Sequence, residues 1–288
     1  MAQLKARRLE NVEGDFFVDT SCIDCDTCRW MAPDVFGRDG EMSAVYAQPT
    51  SPEQRIQALH ALLSCPTSSI GTVAPPNDIQ QAQAQLPAQI EDNVYHCGYH
   101  SEKSYGAASY FIQRPEGNIL IDSPRFTLPL VKQLEAMGGV KYLYLTHRDD
   151  VADHARFQAH FDCDRILHID DITTDTQSVE IQLEGQEAYQ LTDDLTIIPV
   201  PGHSKGHTVL LYQNKFLFTG DHLAWSISLE HLYGFRRFCW YSWNEQIKSM
   251  KRLANYSFEW ILPGHGRRFH STSMATELQT CIDWMETA

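Results

Sequence analysis

The chain has 288 residues, 43% of them hydrophobic and 21% charged, which is enough apolar material for a substantial core in one large or two unequal domains. Its 37 acidic side chains outnumber 23 basic ones for a net charge of −14, and that excludes the clustered cations a nucleic-acid partner requires. No apolar run is long enough for a membrane span, and the opening MAQLKARRLENVEGD lacks the apolar stretch of a secretory signal. A reducing compartment, cytoplasm or plastid stroma, is the expected setting.

In chain order, the first informative segment is C-x2-C-x2-C, formed by Cys22, Cys25 and Cys28 and followed at a distance by Cys65-Pro66. Four soft thiolates with two-residue gaps most readily hold a cubane iron–sulfur cluster, because one loop can wrap three corners while the fourth thiolate comes from elsewhere. Cys28 and Cys65 lie 37 positions apart and there is no second triplet, so a single [4Fe-4S] cluster on these four residues is the economical reading. Zinc sites more often combine two C-x2-C pairs. The other cysteines, Cys97, Cys163, Cys239 and Cys281, read as small buried apolar side chains. Residues 72–92, Pro-flanked and rich in Gln and Ala, read as a linker containing a short helical stretch at IQQAQAQL. The domains expected are therefore 1–71 and 93–288.

Beyond Val94 the pattern changes to short apolar strands alternating with helices. SYFIQRPEGNILID reads as strand, turn and strand, and FTLPLVKQLEAMGG as a helix closed by Gly138-Gly139. KYLYLTH is a buried strand that delivers His147. VADHARFQAHF is helical, RILHI, LTIIPVPGH and TVLLYQNKFLFTGD are strands, WNEQIKSMKRLANY is a helix, FEWILPGHG is a strand, and SMATELQTCIDWMETA is a closing helix. Several strands end in loops that carry metal-competent side chains: THRDDVADH, PGHSKGH, TGDH and LPGHG. This arrangement predicts an α+β fold whose site lies at one sheet edge.

The first 70 residues resemble single-cluster bacterial-type ferredoxins, including PDVFG after the third cysteine and LLSCP around the fourth. Residues 94–288 resemble the metallo-β-lactamase superfamily, whose motifs run H-x-H-x-D-H, PGH, GD and GH; Gly202-His203, Gly220-Asp221 and Gly264-His265 match them in order. The resemblance implies an αββα sandwich and one or two divalent metals. It places His147, Asp149 and His203 on one ion and Asp153, His154 and His265 on the other, with Asp221 bridging. It also puts Asp221 and Asp153 beside the reacting atoms. His207 is expected to hydrogen-bond near the ligands, and His222, His160, His168 and His270 to be structural.

The first motif departs from the family pattern. Asp149 stands where a second His is usual, Val151 occupies the place of the metal-binding Asp, and Asp153-His154 arrive two residues late, so a longer loop has to bring them back; Asp150 competes with Asp149. Flavodiiron proteins, a redox branch of the superfamily, show a similar carboxylate in H-x-E-x-D-H, although their FMN domain has no counterpart here. Hard carboxylate oxygen favours iron, or manganese, over zinc. The reading preferred on these grounds is a redox enzyme whose cluster feeds a non-haem di-iron site acting on a small molecule, served by a redox partner protein. The alternatives are a thioester or ester hydrolase with a structural or regulatory cluster, and a non-enzymatic redox sensor. LYGFRRFCWYSW, rich in aromatics and containing Arg236 and Arg237, reads equally as a pocket wall and as core.

Overall fold

The computed structural model describes residues 2–287. The N-terminal unit contains β1 (Phe16–Val18), α1 (Thr27–Met31), the hairpin β2 (Phe36–Asp39) and β3 (Met42–Val45), α2 (Pro52–Ser64) and β4 (Ile70–Thr72). Helix α2 starts where it should: Ser51 caps it, its hydroxyl accepting from Gln54 N–H at 3.2 Å, and Pro52 supplies a preset first turn. It ends at Cys65, just before Pro66. β1 pairs antiparallel with β4, and a small core of Phe16, Val18, Val35, Phe36, Leu59 and Ile70 holds α1 and α2 against these strands.

The segment expected to be a linker is more structured than its composition suggests. Helix α3 (Ile79–Ala84) places Ile79 and Ala82 against the N-terminal core. β5 (Ala88–Glu91) is already the edge strand of the next sheet, paired with β6 (Val94–His96). The polar composition of this strand reflects its edge position, where one side of the ladder faces water.

The larger unit continues through β7 (Tyr110–Ile112), β8 (Ile119–Ile121), α4 (Leu128–Ala136), β9 (Tyr142–Tyr144), α5 (His154–Phe161), β10 (Asp164–His168), β11 (Ile181–Leu183), β12 (Tyr189–Thr192), β13 (Leu195–Pro199), β14 (Thr208–Tyr212) and β15 (Phe216–Gly220). The hairpin β16 (Ala224–Ser226) and β17 (His231–Tyr233), α6 (Trp243–Leu253), β18 (Trp260–Pro263), β19 (Phe269–His270) and α7 (Met274–Thr287) complete it. One sheet has seven strands in the order β11-β10-β9-β8-β7-β6-β5, the other six in the order β12-β13-β14-β15-β18-β19.

Strand period explains the layering. Ile112, Ile119, Ile121, Ile197, Leu210, Phe216 and Phe218 point between the sheets and form the central core. Their sequence neighbours face outward and are covered as well. Phe111, Leu120 and Leu143 pack with α4 and α5 residues, whereas Ile198, Val209, Leu211 and Leu217 pack with Met250, Leu253, Leu278 and Ile282 of α6 and α7. Strands apolar on both faces therefore produce the expected helix–sheet–sheet–helix sandwich. The loops after β9, β13, β15 and β18 carry His147, His203, Asp221 and His265. β15 and β18 run parallel, and so do β8, β9 and β10, which brings these loops to one edge.

Candidate metal centres

The four motif thiols line one cavity together with Val18, Ile23, Thr27, Ser43, Pro66, Thr67, Ser69 and Ile70. Cys28 sits in the first turn of α1 and Cys65 at the end of α2, so the packing of α1 on α2 brings the fourth thiol to the other three. Within the loop, Asp24 and Asp26 adopt left-handed backbone conformations, which short polar side chains tolerate. Arg29 holds both, at 2.6 Å and 2.5 Å. Backbone N–H groups of Ser43 and Ser69 donate to Cys22 Sγ at 3.4 Å and Cys65 Sγ at 3.2 Å, and Cys25 Sγ lies 3.4 Å from Thr27 Oγ1. Burial pushes the Cys25 thiol up to about 11 and Cys28 further, so these sulfurs are poor thiolates unless a bound cation compensates their charge. Four converging thiols, apolar walls and N–H···S donors fit a cubane cluster.

The second centre is built around His147, which is fully buried. Thr146 Oγ1 donates to both oxygens of Asp122 at 3.0 Å and lies 2.9 Å from His147 Nδ1. With its proton given to Asp122, the hydroxyl accepts from Nδ1–H. That fixes the tautomer and leaves the Nε2 lone pair free, and Nε2 has no hydrogen-bond partner among the described residues. Burial lowers His147 to about 4, so the ring is neutral at pH 7 as a ligand must be.

Around this nitrogen, Asp149 Oδ2 stands 3.9 Å from His147 Nε2 and 3.2 Å from His203 Nε2. Asp221 Oδ2 faces three imidazoles, at 3.7 Å from His147, 3.9 Å from His203 and 3.8 Å from His265. His207, stacked on His147 with ring centroids 4.8 Å apart, accepts the Asp221 N–H on its Nε2 and so positions the carboxylate without facing the centre. Two overlapping ligand groups result: His147, Asp149 and His203, and His147, Asp150 and Asp221.

Asp150 is the residue that changes the expected ligand set. It is buried and neither carboxylate oxygen has a hydrogen-bond partner among the described residues. Burial first, then the neighbouring Asp221, Asp122 and Asp149, raises it well above the usual carboxylate range. A buried carboxyl without donors, crowded by other acids, fits cation binding. A Cβ at Gly264 would come within 2.8 Å of Asp150 Oδ2 and 3.1 Å of Asp221 Oδ1, so the glycine makes room for the pair.

Asp153 and His154 are not brought to this centre, contrary to the expectation. Asp153 leads into α5 and binds Lys103 Nζ at 2.8 Å and Phe126 N–H at 2.9 Å. His154 turns the other way, its Nδ1 lying 3.1 Å from the Arg165 guanidinium, which also grips Glu180. The loop after His147 does not double back; Asp150, only three residues on, fills the buried position. Sequence reasoning also missed Asp122 and Thr146 as supports. His222, expected to be structural, is fully buried near His207 with both ring nitrogens unpartnered among the described residues. Cys97, Cys163 and Cys281 are buried as expected, and Cys239 is half-buried. Of the aromatic stretch, Trp240 and Tyr241 donate their backbone N–H groups to His203 O while their side chains stay largely exposed beside the centre.

Comparison with known proteins agrees with both halves. Residues 18–72 match the family model of the 4Fe-4S single cluster domain of Ferredoxin I. A search of curated proteins finds no match. The DIM-1 metallo-β-lactamase superposes with a TM-score of 0.55 at 18% identity, covering 69% of this chain and 95% of its own. VMB-1 gives 0.54 at 18% identity with the same coverage. The metallo-β-lactamase from Pontibacter korlensis gives 0.53 at 16% identity over 70% of this chain and 98% of its own. No described helix is long and apolar enough to cross a membrane. The chain thus joins an N-terminal segment that matches the 4Fe-4S single cluster domain of Ferredoxin I to a larger domain with the metallo-β-lactamase fold.

Proposed function

We propose that the protein is a redox enzyme in which the [4Fe-4S] domain supplies electrons to a non-haem iron site at the sandwich edge, acting on a small molecule. The observation that carries this reading is the ligand chemistry: three carboxylates, Asp149, Asp150 and Asp221, share the centre with three imidazoles, His147, His203 and His265. Hard anionic oxygen favours iron or manganese over zinc and stabilises higher oxidation states. His147, Asp149 and His203 would hold one ion, and Asp150, Asp221 and His265 a second. Such ions supply Lewis acidity and one-electron chemistry. His147 is kept neutral and oriented by Thr146, His207 fixes Asp221, and Trp240 and Tyr241 wall the approach.

The test starts from anaerobic protein with an oxidised cluster and ferric iron in the second site, delivers less than one electron per chain from a photoreduced flavin, and follows the cluster's visible absorption. Reoxidation is expected when the second site holds ferric iron, and not in a His147→Ala, His203→Ala variant. A cluster that stays reduced in the iron-loaded protein, together with thioester hydrolysis indifferent to cluster state, favours the hydrolase instead.

A further inference from the structure

The loop that carries three of the four cluster cysteines touches the loop that carries His265, and Tyr105 stands between them. Tyr105 Oη donates to the carbonyl of Ile23, between Cys22 and Cys25, at 2.5 Å. The same ring lies 6.3 Å, centroid to centroid, from His265. The next residue, Gly106, packs directly on the cysteine loop: a Cβ there would meet Cys25 Cβ at 2.8 Å, Cys25 Sγ at 3.1 Å and Pro66 Cγ at 3.2 Å. Arg267, two residues beyond His265, forms an ion pair with Asp26, the residue after Cys25, at 2.7 Å. Ala108 N–H donates to Gly264 O at 2.7 Å, which fixes the Tyr105 segment to the His265 loop. Tyr105 holds a left-handed backbone conformation at φ 48°, uncommon for an aromatic residue, and its side chain is about half exposed. Core packing therefore does not explain its placement.

We propose that Tyr105 is the residue that couples the two metal centres, its ring and hydroxyl filling the gap between the cysteine loop and His265. This rests on the redox reading above. In the step it serves, one electron leaves the reduced cluster and one ferric ion at the second site becomes ferrous. No bond forms or breaks, no proton moves, and Tyr105 is neither oxidised nor reduced. The cluster is reduced beforehand by a low-potential one-electron donor. The Asp26–Arg267 pair has the separate task of holding the two loops together.

The experiment uses the full-length protein with both centres loaded, and compares wild type, Tyr105→Phe and Tyr105→Leu. Reoxidation of the cluster by ferric iron in the second site, after a flash-photoreduced flavin has delivered less than one electron per chain to the oxidised protein, gives the transfer rate. A parallel sample with Mn2+ in the second site gives the dipolar broadening of the reduced cluster's EPR signal, which reports the distance between the centres. Tyr105→Leu is expected to slow transfer about tenfold and Tyr105→Phe by a smaller factor, with dipolar broadening and cluster potential unchanged. Arg267→Gln is expected to diminish the broadening. An unchanged rate in Tyr105→Leu overturns the proposal. So does a slower rate accompanied by lost broadening, because Tyr105 is then a docking contact. Absence of transfer in wild type overturns the redox reading itself and this inference with it, a result distinct from a normal wild-type rate that ignores Tyr105.

Discussion

Replacing Thr146 by Val tests the support of His147 at a single atom. The substitution keeps the β-branched shape and removes a hydroxyl that contacts His147 Nδ1 at 2.9 Å and both Asp122 oxygens at 3.0 Å. Without it, Nδ1–H loses its acceptor and the Nε2-free tautomer is no longer preferred. Loss of such an outer partner typically lowers metal affinity 10- to 100-fold, or about 1.4–2.8 kcal/mol. Asp122 keeps its bond from Thr146 N–H at 2.8 Å, so the fold survives with a loss of about 1–3 kcal/mol. The assay is anaerobic titration of Fe2+ into protein whose cluster is intact, against a competing chelator, with urea unfolding alongside. Thr146→Ser, which retains the hydroxyl, should bind almost as tightly as wild type. Equal affinity in Thr146→Val and wild type would refute the reasoning, and so would a Thr146→Ser variant as weak as Thr146→Val, which would make the effect one of packing.

Other outcomes follow from the same geometry. Asp150→Asn should lower metal content at the second centre while Asp153→Asn leaves it unchanged, as measured by iron analysis of variants with intact clusters; the reverse pattern would restore the ligand set expected from sequence. Cys65→Ser should abolish or destabilise the cluster seen by visible absorption, whereas Cys97→Ala, in the sandwich core away from the cavity, should retain it. At Glu180, burial opposes ionisation, but hydrogen bonds from Arg165 outweigh it and hold the carboxyl down to about 2. A depressed pKa contributes stability above the unfolded value of about 4.3 and loses it as pH falls toward 2. Glu180→Gln should therefore cost about 1–2 kcal/mol near pH 7, discounted for partial exposure, and only a small fraction of that near pH 2, as read from urea unfolding at both pH values.

The sandwich was legible in the sequence because its strands are apolar on both faces and end at the metal-competent loops; Ile119-Leu120-Ile121 and Phe216-Leu217-Phe218 feed two cores at once. The cysteine cavity was legible because three thiols at two-residue gaps and a fourth before Pro66 point to one shared site. What misled was register within one loop. Asp153-His154 copied the family dipeptide two residues late, but helix α5 begins there and turns both side chains away, one to Lys103 and the other to Arg165. The sequence names Asp150 only as a competitor of Asp149; its burial and its crowding by other acids are visible only in three dimensions. The short edge strand Ala88–Glu91 escaped notice because its pattern is that of a polar linker. Tyr105 carried no signal at all, because its partners are Ile23 and His265, 82 residues before it and far beyond it in the chain.

The central claim is that one chain carries a cubane electron donor and an iron-based reaction centre. Metal analysis of anaerobically purified protein tests it most directly. The account predicts about six irons per chain, four in the cubane and two at the carboxylate-rich site. Four irons accompanied by zinc would contradict it.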